Sequence, residues 1–134
     1  EEYYQSGKLK SIGVSNFDKD LIDEMATFAT VKPAVNQIQI NLKEKNADLV
    51  ELLKHMDIAP VAWGPMKATD DQIKRLSESG ENYEKTWGQI LLRYQIQREI
   101  VVIPKSHSKN NQKANLELFD FELTPEEMEV IDSL

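Results

Sequence analysis

Four short runs of mostly apolar residues divide the chain, and polar stretches with helical periodicity separate them. The runs cover residues 11–14, 34–40, 58–63 and 100–103. Short apolar runs of this length, bounded by polar residues, are typical of β-strands that are buried on both faces. We therefore predict four strands, each followed by at least one helix.

Helices are predicted behind the first two runs because apolar residues recur there at intervals of three and four. Behind the first run these residues are Leu21, Ile22, Met25, Phe28 and Ala29. Behind the second run they are Leu49, Val50, Leu52, Leu53 and Met56. Each helix is expected to bury the face that carries these side chains.

Capping signals predict where the later helices begin. Two helices follow the third run, and each starts with a Thr-x-x-Gln capping box, Thr69 with Gln72 and Thr86 with Gln89. Their expected buried faces include Ile73, Leu76, Ile90, Leu91 and Tyr94. After the fourth run, Ser108 is expected to cap a short helix that reaches about Leu116, and Thr124 followed by Pro125 to begin a last helix.

Alternating strands and helices predict parallel strands joined by right-handed crossovers, and hence an α/β fold. Two architectures fit this pattern, an open doubly wound sheet and half of an eight-stranded barrel. No G-x-G-x-x-G loop follows the first run, which weakens the interpretation as a self-contained dinucleotide domain of Rossmann type. Neither repeats nor linkers interrupt residues 1–134, so we predict a single domain.

Composition excludes several functional classes. The chain has 134 residues, 40% of them hydrophobic, and no apolar run long enough to span a bilayer, so we expect a globular cytoplasmic protein with no membrane partner. It has no cysteine, which excludes disulfides and thiolate chemistry. A net charge of −7 opposes nucleic acid as a partner. We find no metal-ligand spacing and no carboxylate pair suited to catalysis.

The first residues read like the end of a helix that Gly7 closes. The chain also begins without a methionine. We therefore expect it to be a piece of a longer protein.

Polar side chains follow the predicted strands at the points where ligands gather in parallel α/β proteins. The first run is followed by Ser15-Asn16, and the second contains Asn36-Gln37. The third ends at Trp63, and the fourth is followed by Pro104-Lys105-Ser106. Amides, hydroxyls, an indole and an ammonium together suit a ligand that contains an amide, a ring and a phosphate.

Four segments occur in order at spacings that resemble the aldo-keto reductase superfamily. They are G-K-L-K-S-I-G-V-S-N-F, K-P-A-V-N-Q-I, P-V-A-W-G-P-M and V-V-I-P-K-S. The resemblance implies a (β/α)₈ barrel of which this chain is the C-terminal half, with four parallel strands alternating with helices. It also implies NADPH as cofactor and a small aldehyde or ketone as substrate.

The same resemblance implies which residues hold the cofactor. Ser15, Asn16 and Gln37 match positions that bind the nicotinamide carboxamide, and Trp63 matches the aromatic that stacks on the nicotinamide ring. Lys105 and Ser106 match positions near the adenosine 2′-phosphate, and Asn115 matches an asparagine near the adenine.

The chain departs from the family pattern at several points. Asn111 stands where the family commonly has an arginine, and Ala114 where it has a glutamate, which leaves Lys109 and Lys113 as the only other nearby cations. The segment after Pro65 is also shorter than in many relatives. We therefore expect a loosely held cofactor with weakened 2′-phosphate recognition.

The resemblance places the catalytic Asp, Tyr, Lys and His in the other half of the barrel, so we assign no catalytic residue to this chain. Its expected partner is that missing half or a second copy of itself. The alternative function is a non-catalytic cofactor-binding or interaction module that reuses the half-barrel.

Three of these residues also have ordinary structural interpretations. Ser15 or Asn16 could cap the following helix, since both residue types are favoured at that position. Trp63 could belong to the core, although the family match favours a ligand-binding role. For Trp87, which no family motif includes, we predict a core position.

Overall fold

The computed structural model describes all residues 1–134 and contains one parallel sheet of four strands. The strands are β1 (Gly13–Ser15), β2 (Val35–Gln39), β3 (Ala59–Trp63) and β4 (Val101–Val102). They lie in the order β1-β2-β3-β4, and every neighbouring pair is parallel. The predicted α/β fold with sequential strand order is therefore confirmed.

Seven helices connect and flank the strands. They are α1 (Glu2–Gln5), α2 (Lys19–Ala26), α3 (Ala47–His55), α4 (Asp70–Glu81), α5 (Trp87–Gln97), α6 (Lys109–Ala114) and α7 (Pro125–Asp132). Both predicted capping boxes, at the starts of α4 and α5, are present, and Thr124 with Glu127 forms a third at α7. None of these helices has the length and apolarity needed to cross a bilayer.

Two apolar clusters bury the outer side of the fold. The first lies between the sheet and helices α2 and α3, and contains Ile22, Ile38, Ile40, Val50, Leu53, Ile58, Ala62 and Ile100. The second joins α4, α5 and α7 through Leu42, Leu76, Ile90, Leu91, Tyr94, Leu123 and Ile131. Since alternate strand residues face these clusters, the remaining strand residues share the opposite face of the sheet.

Helix α2 differs from the prediction at both ends. Asp18 is its N-cap and accepts a hydrogen bond from the Leu21 amide, so neither Ser15 nor Asn16 caps it. The helix ends at Ala26, and its C-cap Thr27 donates its hydroxyl proton to the Glu24 carbonyl. Phe28 therefore lies outside the helix and is 71% exposed rather than buried.

Leu21 is also exposed, contrary to the expected buried face of α2. It is one residue from Ile22, which is fully buried, and so is rotated about 100° away from the sheet. Ile22 and Met25 alone carry the contact of this helix with the first cluster.

Both outer strands of the sheet pair on one side only, since β1 bonds to β2 alone and β4 to β3 alone. Apolar side chains at the β4 edge are open to water: Val101 is 50% exposed and Ile103 is 43% exposed. Unpaired strand edges with exposed apolar side chains favour pairing with another polypeptide.

We predict that the chain on its own self-associates, or that it packs against the other half of the barrel that its sequence resemblance implies. Ile103→Lys should weaken self-association, because it places a charge at the exposed β4 edge. The matched control is Val130→Lys on α7, a residue of similar exposure at 46%. Light scattering over a wide concentration range measures the effect, and a stable wild-type monomer without a companion polypeptide would contradict the prediction.

Candidate cofactor-binding site

The C-terminal end of β1 is joined to β2 by hydrogen bonds to one carbonyl, that of the central β2 residue Gln37. The Ser15 hydroxyl donates to the Gln37 carbonyl over 2.9 Å, and the Asn16 amide donates to the same oxygen over 2.9 Å. Ser15 is also the register partner of Gln37, which aligns with Val61 on β3. The predicted residues Ser15 and Gln37 therefore lie side by side where β1 ends.

Asn16 connects the ends of β1 and β3, which are not neighbouring strands. Its backbone has φ +57°, a left-handed conformation that asparagine tolerates better than most residues. In this conformation its side-chain Oδ1 accepts a hydrogen bond from Trp63 Nε1 over 2.9 Å. This hydrogen bond fixes the Trp63 indole beside the side-chain amide of Asn16.

The side chain of Asn36 on β2 holds the turn that contains Asn16 and Phe17. It is fully buried, and its Nδ2 donates to the Phe17 carbonyl over 2.7 Å while its Oδ1 accepts from the Phe17 amide over 3.4 Å. The side chain thus replaces a backbone partner for the turn that follows β1. An asparagine two residues before Ile38, and therefore on the same buried face of β2, was the sequence signal for this role.

The loop after β3 is held by two side chains from elsewhere in the chain. Asn41 Nδ2 donates to the Gly64 carbonyl over 3.3 Å, and Gln95 Nε2, from α5, donates to the Pro65 carbonyl over 2.8 Å. Gly64 itself has φ +61°, which favours glycine. On the same loop, Lys67 places its Nζ 5.6 Å from the centre of the Trp63 ring, so a cation lies over the indole.

The other predicted residues form a second group around a cavity of about 410 Å³. Lys105, Ser106 and Asn115 line it together with Asn111, Met66 and Trp87. Among the residues that line this cavity there is no carboxylate, and Lys105 forms no ion pair. The seven predicted residues therefore lie in two groups, a strand-end group and a cavity group.

Two expectations about the cavity group change with the structure. Lys113 approaches Glu117 at 3.5 Å, so its charge is partly compensated, whereas Lys109 forms no ion pair, and neither lysine lines the cavity. The predicted core position of Trp87 holds for only one side of its indole ring. This side chain is half-buried, packs against the second apolar cluster and lines the cavity with its remaining surface.

Two tyrosines of the second cluster donate their hydroxyl protons to carboxylates. Tyr83 donates to Glu127, and this hydrogen bond raises the pKa of Tyr83 to about 12. Tyr94 donates to Asp132. The pKa of Tyr94 is also raised, mainly by burial and secondly by this hydrogen bond. Both hydroxyls are committed to helix α7, and neither residue lines the cavity that contains Lys105.

A sequence model of the aldo/keto reductase family matches residues 1–134. The chain is 34% identical over 137 residues to a glyoxal reductase of Bacillus subtilis, covering 100% of this chain and 49% of that protein. The chain spans about half the length of the curated relatives it matches.

Solved structures agree with the sequence match. A Bombyx mori aldo-keto reductase in complex with NADP superposes with a TM-score of 0.88 at 34% identity, over 98% of this chain and 47% of the other. An aldo/keto reductase from Brucella melitensis gives 0.90 at 31% identity, over 98% and 51%. The open sheet is therefore half of a (β/α)₈ barrel, and the doubly wound alternative is wrong.

We predict that Asn36→Ala destabilises the chain by about 2 kcal/mol, because it removes the hydrogen-bond partner of both backbone groups of the partly buried Phe17. The matched control is Gln39→Ala on the same strand, whose side chain is half-buried and makes no hydrogen bond within the chain. Urea unfolding measures both variants. Equal midpoints for the two would show that the Asn36 amide does not hold the turn.

Proposed function

Because this chain belongs to the aldo/keto reductase family over its full length, we propose that it supplies the cofactor-holding half of an NADPH-dependent reductase of aldehydes and ketones. The observation that carries the proposal is the position of the seven matching residues. Ser15, Asn16 and Trp63 lie at the C-terminal ends of β1 and β3, with Gln37 of β2 beside Ser15, and the other three line one cavity beyond β4.

The donors and acceptors of the strand-end group suit a carboxamide. The side-chain amide of Gln37 makes no hydrogen bond within the chain, and Asn16 uses only its Oδ1, so its Nδ2 is free to donate. An amide ligand needs both a donor and an acceptor, and these two side chains provide them. Trp63, whose ring is fixed by its bond to Asn16, would contact the nicotinamide ring.

The cavity group suits a phosphorylated ribose. Lys105 provides an uncompensated ammonium, and the Ser106 hydroxyl accepts from the Ser108 amide over 3.1 Å. Asn111 and Asn115 provide amides but no charge. An ammonium pairs with phosphate as a point charge, without the two-point geometry of a guanidinium. We therefore propose weak binding with a modest preference for NADPH over NADH.

When bound, NADPH supplies hydride to the carbonyl carbon of the substrate. The residues of this chain would orient the cofactor, and the proton for the carbonyl oxygen would come from the other half of the barrel. Two tyrosines of this chain support this division. The Tyr83 and Tyr94 hydroxyls are bonded to Glu127 and Asp132 of α7, beside the second apolar cluster.

We predict that the chain alone does not reduce a reactive aldehyde such as 4-nitrobenzaldehyde with NADPH. Without a positioned general acid, the reaction should lose at least the roughly 10²- to 10⁴-fold that such catalysis contributes. The reaction is measured as the loss of NADPH absorbance in its long-wavelength band. Lys105→Met is the control, since contaminating reductases would be unaffected by it; turnover that this substitution reduces would reveal a proton donor in the chain.

We predict that Lys105→Met lowers NADPH affinity a few-fold and leaves NADH affinity unchanged, since NADH lacks the 2′-phosphate. An exposed ion pair is worth about 0.2–1 kcal/mol, and added salt should reduce the difference further. Calorimetric titration with both nucleotides measures the affinity ratio. Lys74→Met, on the solvent side of α4, is the control. An unchanged ratio in Lys105→Met would remove this lysine from the 2′-phosphate site.

A further inference from the structure

Trp87 provides the only aromatic ring among the residues that line the Lys105 cavity. It is the first residue of α5, directly after the N-cap Thr86. The reciprocal bonds between Thr86 and Gln89 fix the backbone at this point. The indole is therefore attached to a rigid helix start, and not to a loop.

The packing of Trp87 fixes its orientation before any ligand binds. One part of the side chain contacts the second apolar cluster, and the rest lines the cavity. Its Nε1 has no hydrogen-bond partner within the chain, whereas Trp63 Nε1 donates to Asn16. A ring that is already ordered loses little conformational entropy when a ligand stacks on it.

The surroundings of the indole restrict the ligand to a flat, polar ring that carries a phosphate. Two amides, Asn111 and Asn115, lie on the same cavity as Trp87, and amides pair well with the edge of an adenine. Met66 closes the cavity beside Gly88, where an added Cβ would lie 2.5 Å from the Met66 Cε. Lys105 provides the charge for a phosphate on the attached ribose.

We propose that Trp87 stacks on the adenine ring of the dinucleotide and is the main source of affinity at its adenosine end. This inference rests on the proposed function and adds a residue that none of the matching motifs contains. Because Asn111 contributes no charge, ring stacking on Trp87 contributes more to the binding affinity of the adenosine end than electrostatic attraction does. Trp87 and Lys105 then have separable effects, since adenine is common to NADPH and NADH while the 2′-phosphate is not.

The first test observes Trp87 directly with adenosine 2′,5′-bisphosphate, a probe that lacks the nicotinamide. The chain contains two tryptophans, so Trp63→Phe leaves Trp87 as the only indole. Stacking should quench its fluorescence as the probe is added. Ribose 5-phosphate, which has no base, should leave the emission unchanged, and equal quenching by both compounds would overturn the proposal.

The second test separates the two residues by affinity. Trp87→Leu should weaken NADPH and NADH alike by about tenfold and leave their affinity ratio unchanged, and Trp87→Phe should retain most of the affinity. Circular dichroism of each variant checks that α5 still folds. If Trp87→Leu binds both nucleotides like the wild type while Lys105→Met still changes the ratio, stacking is wrong and the proposed function stands. If the wild-type chain binds none of these nucleotides, the proposed function fails as well.

Discussion

The buried amide of Asn36 is the interaction on which the strand-end group depends. The β1 strand is only three residues long and its outer edge is unpaired, and its backbone bonds to β2 end with the one from the Asn16 amide, so backbone pairing alone does not determine where the chain goes after Asn16. By donating to and accepting from Phe17, Asn36 fixes the turn that begins with the left-handed Asn16. Without that turn, Asn16 could not accept from the Trp63 indole.

Helix α5 relates the two groups of the candidate site to one another. Trp87 at its start lines the Lys105 cavity, and Gln95 near its end donates to the Pro65 carbonyl in the loop after Trp63. These two positions are eight residues apart, or about 12 Å along the helix axis. Gln95 Nε2 holds the loop after β3, but Gln95 Oε1 is buried without a hydrogen-bond partner. Helix α5 therefore keeps one unsatisfied acceptor.

Strand order and helix starts could be predicted from the sequence because each depends on local signals. Apolar runs marked β1 to β4, and the threonine capping boxes marked α4 and α5. The errors concern features that the pattern of apolar residues does not show. The spacing of apolar residues continues through Phe28, but helix α2 ends at Ala26. The role of Asn36, on β2, depends on Phe17 in the turn that follows β1. Trp87 appeared to be a core residue because hydrophobicity does not reveal that one side of a ring faces a cavity.

The sequential order of the strands also affects how the chain reaches its fold. Every strand pairs only with strands adjacent to it in the sequence, and one helix separates each of the pairs β1–β2 and β2–β3. Only the pair β3–β4 must wait for two helices, α4 and α5, to form between its members. Closing short loops costs less chain entropy, so contacts of low sequence separation form fastest. The strand-end group around Trp63 would therefore assemble early, and the Lys105 cavity, which needs β4, would form last.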